Sequence, residues 1–189
     1  MPITVTAPRG VLTPAGEREI LPRLTHALLE ASEAVGNPFF TSIIGGSVHL
    51  LDPRDLYAGG KQHPLVMVEL KLPDVGLDTP ESRAAFITLA TRIVAELTGP
   101  EHDDRTTWIN ILNAPSCGWG IGGLAYTGDK LIATATASHS RRRTGPCDAG
   151  ETGRGWAGLG LTGVLRASRE AMITGVECPS CRYRRAGAG

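Results

Sequence analysis

Across 189 residues, 19 lysines and arginines balance 19 aspartates and glutamates, a neutral total that gives no support for nucleic acid or an anionic membrane surface as the main partner. No apolar run approaches a membrane span and the N-terminus lacks the basic and apolar regions of a secretory signal, so a cytoplasmic protein with no membrane partner is expected. At 41% hydrophobic residues the chain can bury a core, and its four cysteines are too sparse and too bunched for a disulfide framework, so they read as reduced thiols.

The chain opens MPITVTAPRG. Ile3 to Thr6 are mostly β-branched and predict a strand beginning at Pro2. "RGVLTP" then supplies a turn, with Thr13 as helix cap and Pro14 at the first helical position. Ile20, Leu21, Leu24, Ala27, Leu28, Ala31 and Val35 recur at the spacing of one helical face, Pro22 falls inside, and "GNP" at 36–38 ends the helix. "TSIIGGSVHLL" (41–51) reads as a second strand, and "DPRDLYAGGKQ" as a turn-rich stretch with a glycine pair.

The pattern then starts again. "PLVMVELKL" (64–72) predicts a buried strand, "DTPESRAAFITLATRIVAEL" a helix capped by Thr79 before Pro80, and "TTWINILN" (106–113) another strand, followed by "GWGIGG". Pro2 answers Pro64, Thr13-Pro14 answers Thr79-Pro80, and "LYAGG" answers "WGIGG". Two tandem βαβ units, residues 2–62 and 63–131, predict an α/β (α+β) domain. Its sheet would have four strands, with two helices on one face and the other face left for association.

From about Ile132 the composition shifts to glycine, alanine, serine, threonine and arginine, and 132–189 reads as a disordered tail with a short helix near 164–173. "RRR" at 141–143 reads as a solvated run, and "CPSC" at 178–181 as half of a zinc or redox pattern without its partner. His49 and His63 are not at metal spacing with Cys117 or with a carboxylate pair, so no metal site is expected in the core. "WGIGG" precedes no helix and lacks a lysine-serine ending, which rules against a phosphate loop.

Pro2 after the initiator, the duplicated β-α-β pattern and "GWGIGG" (118–123) together resemble the tautomerase superfamily over roughly residues 2–131. "GWGIGG" is similar to the hairpin of 4-oxalocrotonate tautomerase. "LTP" at 12–14 resembles the cis-3-chloroacrylic acid dehalogenase group, and "GWGIGGLAYTGDKL" the malonate semialdehyde decarboxylase group. The resemblance implies a MIF-like trimer, a cofactor-independent keto-enol tautomerase or isomerase, and a small 2-oxo acid or enol as substrate. It implies that Met1 is removed and that Pro2 acts through its free amine as general base, since an amine poised near neutrality suits proton abstraction beside a carbonyl.

The alternatives are a dehalogenase, decarboxylase or hydratase using protonated Pro2 as acid, and a non-catalytic trimeric binding or structural protein. Pro64 carries a peptide nitrogen and cannot be a second base. The family's loop arginine falls at Val11, with Arg9 two residues earlier, and its strand arginine falls on Trp108. The loop after "VMVELKLP" holds Asp74, with Lys71 before it, in place of paired arginines.

Arg9 and Lys71 are therefore the candidate cations for a carboxylate or enolate, with Arg54, Lys61 and Arg105 behind them. Trp119 resembles the family's apolar wall. Tyr57 and Tyr126 are phenolic candidates that equally suit packing. His26 lies two positions from Leu28, where a dehalogenase-type histidine falls, and reads as a surface residue.

Overall fold

The computed structural model describes residues 1–143. Strand β1 (Pro2–Pro8) leads through a turn into helix α1 (Pro14–Ala31), whose Thr13 side chain accepts from the Gly16 N–H. A short helix α2 (Pro38–Ile43) precedes β2 (Gly45–Leu51), and the hairpin β3 (Tyr57–Ala58) and β4 (Lys61–Gln62) closes the first unit. The second unit repeats the order with β5 (Val66–Leu72), α3 (Pro80–Leu97) and β6 (Thr107–Asn113). The hairpin β7 (Trp119–Ile121) and β8 (Leu124–Tyr126) follows, and then a last helix, α4 (Gly128–Arg143).

The four long strands form one sheet in the order β2-β1-β5-β6, parallel within each unit and antiparallel where β1 meets β5. The duplication seen in the sequence is thus present in space. Alternation does the sorting: Ile3, Val5 and Ala7 on β1 and Val66, Val68, Leu70 and Leu72 on β5 are buried, against Ile20, Leu24 and Leu28 of α1 and Phe86, Ala90 and Val94 of α3. Both hairpins turn on glycine pairs, Gly59-Gly60 and Gly122-Gly123, with every φ between 58° and 80°, a backbone that suits two-residue hairpin turns and that only glycine adopts without strain.

Two expectations need correction. Residues 41–43 are helical, because Asn37 caps α2 by accepting from the Phe39 and Phe40 N–H groups and Pro38 starts it. The boundary expected after residue 131 falls inside α4, whose Leu131 and Ala135 are buried, and the compact unit runs from Met1 to Gly145. The tail beyond 143, with the short helix expected near 164–173 and the Cys178/Cys181 pair, lies outside the described residues.

The opposite face of the sheet carries three side-chain rows set by the register. Thr4 lies between Ser47 and Glu69, with Asn110 beyond; Thr6 lies between His49 and Met67, with Trp108 beyond. One step past the Ile3–Leu70 pair, Pro2 comes opposite Lys71, between Gly45 and Leu112. No helix among the described residues covers this face, and Trp108 is left 45% exposed.

Candidate active site

The N-terminal corner is built by the crossed packing of the two units. The Met1 amine donates to the Ile43 carbonyl at the end of α2, and the Gly45 N–H donates to the Met1 carbonyl at 3.2 Å. Met1 itself is only 9% exposed, and burial pulls its amine from 8.0 down to about 6, because the ammonium form loses hydration there. The strand start therefore holds a chain amine in a place that favours its neutral, basic form.

Beside Met1 lies a cavity of about 270 Å³ whose lining includes Leu28, Phe40, Val75, Leu131 and Ala135, with no charged side chain in its wall. Three structures close it: the end of α1 with α2, the loop after β5, and α4. Gly128 fixes the last of these. A Cβ there would stand 2.2 Å from Val75 Cγ1, so only glycine lets α4 start hard against that loop. Lys71 lies next to Pro2 across the strand pair, exposed on the opposite face of the sheet. An apolar cavity and a cation thus flank the start of β1 from two sides.

No family model and no curated protein matches the chain. Solved structures do: native fused 4-OT superposes with a TM-score of 0.55 at 21% identity, over 66% of this chain and 95% of that one. N1, a member of the cis-3-chloroacrylic acid dehalogenase family, gives 0.58 at 16% identity over 76% and 96% of the two chains. The macrophage migration inhibitory factor of Toxoplasma gondii gives 0.52 at 13% over 67% and 100%. This chain has the tautomerase-superfamily fold.

Within one chain of this tautomerase fold, the candidate residues named from the sequence do not all converge. Lys71 adjoins Pro2, but Arg9 sits at the far end of β1, about 23 Å along the strand. There its guanidinium donates to the Leu50 carbonyl at 3.2 Å, and its loop is tied to the end of α3 by Thr13 N–H to Leu97 O and Gly99 N–H to Val11 O. The loop of Gly10 and Val11 faces His63 and Pro64, the second unit's copy of Met1 and Pro2. At the Pro2 corner the matching loop is Pro73–Gly76, where Asp74 takes the place Arg9 has in the first unit.

Trp108 lies two side-chain rows and two strands from Pro2, on the order of 15 Å away. Trp119 packs partly buried against the core from β7, and its indole N–H finds no acceptor among the described residues. It does not line the cavity at Met1. Two of the reserve cations are engaged elsewhere: Arg54 grips Asp52 at 2.9 Å and Arg105 grips Asp103 at 2.6 Å, an ion pair that holds the Asp103 carboxyl down at about 2, while Lys61 sits exposed on β4.

Tyr126 lies under the Lys130 ammonium, 5.1 Å from the ring centre, Tyr57 is exposed, and His26 pairs with Glu30 on the surface. Among the described residues no three His, Cys, Asp or Glu side chains gather to hold a metal ion, and no helix is long and apolar enough to cross a membrane. What the sequence reading missed is the apolar cavity and its α4 wall. The only signal for it was the pair Leu131 and Ala135, spaced four apart in an otherwise polar stretch.

Proposed function

We propose that this chain is a cofactor-independent keto-enol tautomerase or isomerase of a small 2-oxo acid or enol, with Pro2 as its base once Met1 is removed. The observation that supports the reading is the place of the chain terminus, at the start of β1 with Lys71 next to Pro2 across the strand pair and an apolar cavity beside it. In ketonisation the Pro2 nitrogen takes the proton of the enol hydroxyl and returns one to the carbon, so the amine ends as it began. Lys71 holds the substrate carboxylate or the enolate oxygen from across the strand. The proline ring keeps the nitrogen fixed on the strand it starts.

A homotrimer supplies the rest of the site. Fused 4-OT is described as a trimer, and association that covers the bare sheet face would also bring a second chain to the Pro2 corner. In that assembly Arg9 of the partner subunit is the remaining cation for the substrate.

Intact mass together with a pH-rate profile tests this. The expected result is a chain lacking Met1 whose kcat/KM for phenylenolpyruvate ketonisation rises with pH to a plateau, with an apparent pKa below 8. An active chain that retains Met1, or a rate that falls as pH rises through this range, contradicts it.

A further inference from the structure

We infer that Asn113 is a positioning residue for the Pro2 corner: it clamps the turn after β5 so that the Asp74 carboxylate stays outside the corner, leaving Lys71 to meet an anionic substrate. The inference rests on the reading of Pro2 as terminal base. Asn113 is the last residue of β6, paired with Leu72 at the end of β5. Its amide donates to two carbonyls of the turn, Pro73 O at 3.0 Å and Gly76 O at 2.8 Å, while the Gly76 N–H closes the turn onto Pro73 O at 3.0 Å. Just beyond the turn, Leu77 is buried with a left-handed backbone, φ 50°, and Arg83 of α3 donates to its carbonyl at 2.8 Å and to Asp78 O at 3.1 Å. A residue other than glycine keeps that backbone only where its surroundings hold it. The first unit ends β2 with Leu51 at the place of Asn113, a side chain that cannot donate.

What the turn orients is a charge. Pro73, Val75 and Gly76 line the cavity at Met1, and Asp74 does not. Its Oδ1 stands instead 3.2 Å from the point a Gly128 Cβ would occupy, at the first residue of α4, where a helix start favours a carboxylate. The other charged groups on the segments around the corner are Lys71 on β5, Asp78 after the turn, Glu30 and Glu33 at the end of α1, and Asp129 and Lys130 on α4; α2 carries none. Without the Asn113 amide, the Pro73 and Gly76 carbonyls must find other donors, and the turn is free to swing Asp74 toward the terminus. A carboxylate there repels the carboxylate of a substrate and holds a proton on the amine.

The test is a double-mutant cycle of Asn113→Ala and Asp74→Asn, read by KM, kcat and the pH profile of phenylenolpyruvate ketonisation, with thermal midpoints as a check on folding. Asn113→Ala is expected to raise KM about tenfold and to move the rising limb of kcat/KM to higher pH. Asp74→Asn alone should change KM less than about threefold; added to Asn113→Ala it should return KM and the pH limb close to wild type while the thermal midpoint stays lowered. Losses in Asn113→Ala that Asp74→Asn does not reverse would mean that Asn113 only holds the fold, and overturn the inference. If Asn113→Ala does not fold, Asn113→Ser keeps one donor and makes the same comparison with smaller changes.

Calorimetric binding of phenylpyruvate separates this from the role of the proline. Affinity is expected to fall about tenfold in Asn113→Ala and to recover in the double variant. That pattern in a chain whose turnover ignores Pro2 supports the clamp and removes only the proline base. Affinity unmoved in folded Asn113→Ala, while Pro2→Ala loses turnover, overturns the clamp and leaves the base.

Discussion

At the residue scale the decisive feature is a terminal amine buried at a strand start. In the chain that retains Met1 this makes a linked prediction. Below pH 6 the amine is protonated whether the chain is folded or unfolded, and above 8 it is neutral in both; between them the unfolded chain holds more protons. Stability of the Met1-retaining chain should therefore rise from pH 6 to pH 8 and then level, as read by thermal midpoints; a midpoint that falls over this interval contradicts the burial. Lys71→Ala should lower kcat/KM for a carboxylate substrate by about tenfold to a hundredfold, the worth of one charge-assisted hydrogen bond, and Lys71→Arg should recover part of it. Arg9 shows where reading from sequence misleads at this scale: seven residues separate it from Pro2, yet an extended strand turns that short interval into the length of the sheet.

At the element scale, most of the fold was legible because cap and period agreed. Thr13-Pro14 and Thr79-Pro80 each start a helix as written, and alternation in β1 and β5 gives the buried face. Asn37-Pro38 is the same signal and starts α2, but the aromatic and β-branched residues after it suit a strand equally, and local propensity points the wrong way. Helix α4 escaped because its alanines and threonines show little apolar period; its place depends on tertiary packing of Leu131 and Ala135 and on Gly128.

That dependence is testable. Gly128→Val should destabilise the chain by about 1–3 kcal/mol through the clash with Val75, seen in chemical denaturation, and speed hydrogen exchange in α4 before the sheet. Ending the chain after residue 131 should lower the thermal midpoint, while ending it after Gly145 should not; equal midpoints would show that α4 adds nothing to the domain.

At the scale of the whole molecule, the duplication explains both the symmetry of the fold and the asymmetry of its chemistry. The first unit has Pro2 at the start of β1 and the second has Pro64 two residues before β5, but only Pro2 can carry a free amine, and the first unit's own loop of Gly10 and Val11 lies at the Pro64 corner. On the proposed reading, a single chain would hold half of a site. The uncovered face of the sheet, with Trp108 45% exposed at one end and Lys71 at the other, is where further chains would complete it. Light scattering should give a trimer, and Trp108→Asp should shift it to smaller species by placing a charge in the contact; a monomeric wild type would leave Arg9 without a role at Pro2. Because neither the sequence nor one chain records how copies meet, this part of the site was not legible from residue spacing.

The central claim is that a terminal proline moves the proton, and the most direct measurement is the rate of phenylenolpyruvate ketonisation by wild type and Pro2→Ala, each verified by mass to lack Met1. Loss of a well-placed general base predicts a fall in kcat of about a hundredfold or more with the fold intact. Equal rates in the two chains would contradict the account.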